Sequence, residues 1–152
     1  FLELRACTTV SLRFSLPARV RLPVPRVSRR ICHDCPGAHS VLIVDDHPSF
    51  RASARAILEA DGFTIVGEAE DGSSGLALLR QLRPDVVLLD VQLPDMTGFD
   101  VCVECGDLDK TCVVLVSSRD VTDYGSLIES SGACGFVPKA ELSGAAITSL
   151  LP

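Results

Sequence analysis

Three carboxylates, one hydroxyl and one ammonium stand at the ends of short apolar runs in this chain. Asp45 and Asp46 close Val41-Leu42-Ile43-Val44, and Asp90 closes Val86-Val87-Leu88-Leu89. Ser117 follows Val113-Val114-Leu115-Val116, and Lys139 follows the shorter run Phe136-Val137-Pro138. Apolar runs this short, each followed at once by a polar group, read as buried parallel strands. Their carboxyl ends form one edge of an α/β sheet, where ligand sites collect.

Gathered there, Asp45, Asp46 and Asp90 repel one another and raise the pKa of at least one of their number. Mg²⁺ answers that problem, because it favours a few carboxylates together with waters and phosphate oxygens. Asp90 is the central acid and can act as a carboxylate nucleophile that forms an acyl phosphate. Lys139 and the metal then neutralise charge on a transferring phosphoryl group, and Ser117 can donate a hydrogen bond to one of its oxygens. One Asp at a strand end is ordinarily just solvated; the joint pattern points to phosphoryl chemistry.

The elements that must position these groups alternate regularly from Ser40 onward. After a strand over 41–45, Pro48 opens a helix with Phe50, Ala54, Ile57 and Leu58 on one face. Asp61-Gly62 breaks it, and 63–69 is the second strand. Asp71-Gly72-Ser73 starts a helix that turns Leu76, Leu79 and Leu82 inward, and Pro84 ends it before the third strand at 86–89. A turn-rich loop, Val91 to Gly98, leads to a short helix over 99–105, then a fourth strand over 112–116. Tyr124, Leu127 and Ile128 mark a fourth helix, 135–138 a fifth strand, and Leu142, Ala146 and Leu150 a fifth helix. That is (βα)₅, and right-handed crossovers make it a doubly wound parallel sheet.

The 152 residues suffice for one domain with a real core. Their charge is split. Residues 1–39 carry seven Arg against Glu3 and Asp34, whereas residues 40–152 carry seven basic against eighteen acidic groups. The acidic part is a poor match for nucleic acid, whose phosphates need Lys and Arg. The Arg/Pro-rich stretch over 1–39 predicts a disordered extension, with a basic interaction arm as its alternative. No apolar run is long enough to span a membrane. Seven cysteines, an odd and scattered set, argue against a disulfide framework and for a reducing cytoplasm. Cys32 and Cys35 have metal-ligand spacing with His33 and His39 nearby, but no second pair at zinc-ribbon distance; Cys102 and Cys105 read as incidental helix thiols.

Taken together, Val41-Leu42-Ile43-Val44-Asp45-Asp46-His47-Pro48, Asp90 with Leu93-Pro94-Asp95-Met96-Thr97-Gly98, Ser117, and Gly135-Phe136-Val137-Pro138-Lys139 resemble the receiver domain of two-component response regulators. The resemblance covers about residues 40–151, and its separated motifs arrive in order. His47-Pro48 after the acid pair is similar to the subgroup fused to a LuxR-type helix-turn-helix. It implies a flavodoxin-like fold with strand order 2-1-3-4-5. It also implies Asp90 as phosphoacceptor and a Mg²⁺ site of Asp45, Asp46, Asp90 and the backbone carbonyl of Gln92. Ser117 stands where the family has its switch hydroxyl, Phe136 where it has the rotating aromatic, and Lys139 where it has the phosphate-pairing Lys. Gln92 and Arg119 stand where the family tunes phosphoryl lifetime. Ala140 departs from the commoner family pattern, in which Pro follows that Lys.

The implied function is that of a regulatory phosphoacceptor rather than an enzyme. A sensor histidine kinase is the implied partner, with a homodimer on phosphorylation and an output in transcription. The chain reads as the N-terminal part of such a regulator, with a stand-alone receiver as the alternative. A haloacid-dehalogenase-type phosphatase would want a second Asp where Gln92 stands, and a flavodoxin-like cofactor binder a phosphate-cradling loop where Asp45-Asp46 would repel phosphate. His47 is expected as a loop-facing or capping side chain, and Tyr124 as a helix-face packing residue.

Overall fold

A computed structural model describes residues 39–106 and 110–152. The expected extension, but for His39, and the Cys32-Cys35 pair lie outside the described residues.

Five parallel strands form one sheet: β1 (Ser40–Val44), β2 (Thr64–Ala69), β3 (Val86–Asp90), β4 (Cys112–Ser117) and β5 (Gly135–Pro138). Their order is β2-β1-β3-β4-β5. Five helices connect and follow them: α1 (Pro48–Ala60), α2 (Gly72–Leu82), α3 (Gly98–Cys105), α4 (Ser126–Ser130) and α5 (Gly144–Thr148). The doubly wound flavodoxin-like arrangement is therefore the one observed.

Side chains alternate across a strand, so the same runs feed two cores. Val41, Ile43, Val86, Leu88, Val114 and Val116 meet Ala54 and Leu58 of α1 and Ile147 of α5 on one face. Leu42, Val44, Val87, Leu89, Val113 and Leu115 meet Leu76 and Leu79 of α2 and Val101 of α3 on the other. Burial on both faces is why these strands are continuously apolar rather than alternating. Two expected core residues remain more than a third exposed, Ile57 at 38% and Leu82 at 37%. Ile57 borders the α1 stripe whose centre is Leu58, and Leu82 reaches over Gly67 of edge strand β2, where only one neighbour covers it.

Polar caps fix the helix starts. The Asp71 carboxylate accepts from the Ser74 N–H at 2.7 Å, and Thr97 and Asp100 form a reciprocal capping box on α3. The fourth helix departs from expectation: Tyr124 lies outside it, after a 3₁₀ turn at Val121–Asp123. Gly125, at φ 49°, breaks the chain direction between them. The fifth is also shorter than its stripe, since Leu142 precedes α5 and Leu150 follows it, though all three stripe residues pack on the core.

One cysteine pair was not singled out by the sequence: Cys112 and Cys134 lie side by side, with Cα atoms 5.6 Å apart. Adjacent parallel strands bring them together, as the Cys134 N–H donates to the Val113 carbonyl at 2.8 Å. Cys102 and Cys105 are free. Burial pushes the Cys102 thiol up to about 12, so it behaves as a small apolar side chain.

Candidate functional site

The three carboxylates do converge at the carboxyl edge of the sheet. Ligand atoms of Asp45, Asp46, His47 and Asp90 all lie within 4.8 Å of one another. Asp45 is fully buried and Asp90 is 3% exposed, whereas the Asp46 side chain keeps 35% of its surface. Backbone geometry explains the placement. Asp45 and Asp46 immediately follow β1, and Asp90 ends the neighbouring strand β3, in register Val44↔Leu89. The crevice thus falls where strand order reverses.

Lys139, the first residue after β5, projects back across the sheet edge. Its Nζ lies 2.9 Å from Asp90 Oδ2 and 2.5 Å from Asp45 Oδ2, and its side chain is 12% exposed. Phe50 of α1 lies against the ammonium, its ring centroid 4.5 Å from Nζ. Burial lowers the ammonium's pKa, but the hydrogen bonds and charges of Asp45 and Asp90 outweigh it, and the net shift is upward. For Asp90 burial is the largest influence and raises its pKa, against the Lys139 contact and the Gln92 N–H, which donates to Oδ1 at 3.2 Å.

The donor set fits a hard divalent cation. Asp45 Oδ2 and Asp46 Oδ1 are buried and accept no well-directed hydrogen bond. Their close neighbours are the Lys139 ammonium and the His47 ring, at 2.6 Å from Asp46 Oδ1. Carboxylate oxygens left in this condition at one locus are what Mg²⁺ chemistry requires. Gln92, exposed just beyond Asp90, pairs with Thr97 across the loop.

Ser117 is 2% exposed at the end of β4, one residue past the Asp90↔Val116 pair. Its Oγ accepts from the backbone N–H of Arg119 at 3.1 Å and lies 2.7 Å from the Tyr124 hydroxyl. The Arg119 residue itself is exposed. Phe136 is half-buried in β5, its ring centroid 5.8 Å from that of Tyr124. Asp45, Asp46, Asp90 and Lys139 thus form one cluster, while Ser117 and Phe136 meet through Tyr124 instead.

Four residues escaped the sequence reading as site groups. His47 is the N-cap residue of α1 but makes no side-chain cap; its ring faces Asp45 and Asp46. Arg51 donates from Nη1 to the Asp45 carbonyl at 2.6 Å, anchoring the acid pair. Phe50 was legible only as a helix-face apolar residue. Tyr124 was legible only as a helix-face packing residue in step with Leu127 and Ile128, because no local pattern places it against Ser117.

The family profile of the response regulator receiver domain matches residues 41–149. The chain belongs to this family. The receiver is 41% identical over 102 residues to the DNA-binding response regulator MtrA of Mycolicibacterium smegmatis, covering 65% of this chain and 43% of MtrA. Among solved structures, it superposes on a LuxR-family two-component response regulator from Aurantimonas with TM-score 0.66 and 27% identity, covering 74% of this chain and 85% of that one. The chemotaxis response regulator CheY4 of Vibrio cholerae matches with TM-score 0.66 and 26% identity, over 75% of this receiver and 99% of CheY4. The chain spans about half the length of the curated relatives it matches. No helix among the described residues is long and apolar enough to cross a membrane.

Proposed function

We propose that this receiver is a phosphorylation switch in which Asp90 accepts a phosphoryl group from the phospho-His of a sensor histidine kinase. The observation that carries this reading is the bridge of Lys139 Nζ between Asp90 and Asp45, beside the buried Asp46 Oδ1. Asp45, Asp46, Asp90 and the backbone carbonyl of Gln92 are the groups that would hold Mg²⁺. When bound, the ion supplies positive charge against the transferring phosphoryl oxygens.

An Asp90 carboxylate oxygen attacks phosphorus; the new O–P bond forms as the P–N bond to the donor imidazole breaks. Lys139 remains as the protein's own cation and pairs with a phosphoryl oxygen. The added charge and acceptor oxygens draw the Ser117 hydroxyl toward the site, and Phe136 turns into the space it leaves, altering the face of α4, β5 and α5. Hydrolysis of the acyl phosphate resets the switch, with Gln92 and Arg119 flanking the path of water and setting its rate.

The domain assignment belongs to the same proposal: a receiver over 40–152, preceded by a basic extension over 1–39. By its likeness to MtrA and the LuxR-family protein, the chain acts as the N-terminal part of a cytoplasmic transcriptional regulator that dimerises on phosphorylation.

Intact-mass measurement tests the reading. Acetyl phosphate or a phosphorylated kinase, with Mg²⁺, should add one phosphoryl group of about 80 Da. Asp90→Asn should remove the gain, and a chain lacking residues 1–38 should keep it. Equal labelling of the Asn variant would overturn the assignment.

A further inference from the structure

Ser117 has a single hydroxyl proton and two lone pairs, and in this structure its oxygen is already engaged twice. The Arg119 N–H donates to it, and Tyr124 Oη lies 2.7 Å away. No hydrogen bond joins Ser117 to Asp90. With Ser117 donating to Tyr124, its one proton is spent, and the hydroxyl has to leave Tyr124 to serve a phosphoryl group on Asp90. Tyr124 is also the middle ring of three. Its centroid is 5.8 Å from Phe99 of α3 at an edge-on 61°, and 5.8 Å from Phe136 of β5 at 50°. One phenol thus touches both groups that the switch must move. On its C-terminal side Gly125 takes a φ of 49°, a Cβ added there would meet nothing within 4 Å, and α4 has no fully buried residue.

We infer that Tyr124 is a positioning residue that latches the resting receiver, holding Ser117 away from Asp90 through its hydroxyl and Phe136 outward through its ring. This rests on the reading of Ser117 as the group that turns toward phosphorylated Asp90. Phosphorylation breaks the Ser117–Tyr124 hydrogen bond, and the released Tyr124 carries the change along the chain to α4. The latch also opposes phosphorylation, since stabilising the resting arrangement lowers the population of the accepting one.

The chain contains one Tyr and no Trp, so its ultraviolet difference spectrum and intrinsic emission report this phenol directly. In the full chain with Mg²⁺ and acetyl phosphate, the Tyr124 spectrum should change in proportion to Asp90 occupancy read by intact mass, and return as the label is lost. Tyr124→Phe keeps the ring and removes the hydroxyl. It should take up phosphate from acetyl phosphate roughly two- to tenfold faster, the factor that loss of one neutral hydrogen bond corresponds to. Its unphosphorylated NMR spectrum should show Phe136 shifted toward the wild-type phosphorylated position. Full labelling of Asp90 with an unchanged Tyr124 spectrum, or a Tyr124→Phe variant with wild-type uptake and resting Phe136 shifts, overturns the latch alone. Absence of any mass gain at Asp90 overturns the functional reading and the latch with it.

Discussion

Lys139 and Asp90 are 49 residues apart in the chain and 2.9 Å apart in the fold. The same ammonium reaches Asp45, so one cation is shared by two buried carboxylates. It occupies the place where negative charge would grow if Asp90 carried a phosphoryl group. Preorganised charge of this kind needs no rearrangement at the moment of transfer.

Lys139→Ala should separate labelling from switching. Asp45, Asp46 and Asp90 remain, so Mg²⁺ binding and some phosphorylation should persist. The phosphoryl group loses a charge-assisted hydrogen bond of about 1.5–3 kcal/mol. The active conformation is then under-populated even at full occupancy. Phosphorylation-dependent NMR shift changes at Phe136 and α4 should shrink well below wild type; equal changes at equal occupancy would rule Lys139 out as the coupling group.

Mg²⁺ should stabilise the folded chain, because the convergent carboxylates exist only there. At a hundred times its dissociation constant a folded-state ligand adds about 2.7 kcal/mol. Urea unfolding with and without MgCl₂ should show this gain in wild type and most of it lost in Asp46→Asn. A gain unchanged in Asp46→Asn would place the ion elsewhere.

Acid should weaken the anchorage of the loop after Asp90. The Asp95 carboxylate accepts from the Ser73 hydroxyl and from the N–H groups of Gly72 and Ser73, joining that loop to the start of α2. The Ser73 hydroxyl first, and then the Gly72 N–H, lower its pKa from 3.8 to about 2. A depressed folded-state pKa means that the stabilisation is present above the unfolded value and lost as pH falls from 3.8 toward about 2. The unfolding-midpoint difference between wild type and Asp95→Ala should hold at pH 5 and narrow across that window. A constant difference down to pH 2 would mean the carboxylate charge plays no part.

Gly98 should tolerate no side chain. A Cβ there would lie 2.5 Å from the Asp90 carbonyl oxygen and 3.1 Å from Val91 Cα, both backbone atoms. Gly98→Ala should cost about 1–3 kcal/mol, the usual range for overpacking, and slow phosphorylation by displacing Asp90. At Gly72 the obstacle is the flexible Met96 side chain, so Gly72→Ala should cost less. Urea midpoints for the two variants decide the order.

The sequence by itself determined the alternating α/β layout, because strand runs, caps and breakers act over a few residues. The runs ending in Asp45, Asp90, Ser117 and Lys139 became the carboxyl edge of β1, β3, β4 and β5 as read, since apolar runs that short can bury both faces only inside a covered parallel sheet. The shortened α4, with Tyr124 left outside it, was not legible: a glycine at positive φ ended the helical pattern, and which φ a glycine takes is set by the surrounding fold. The tertiary structure alone decided who meets whom across the edge. Lys139 bridging Asp45 and Asp90, Tyr124 against Ser117, and Cys112 against Cys134 are contacts made through space. No local periodicity encodes them, because they depend on how each crossover returns its strand to the sheet.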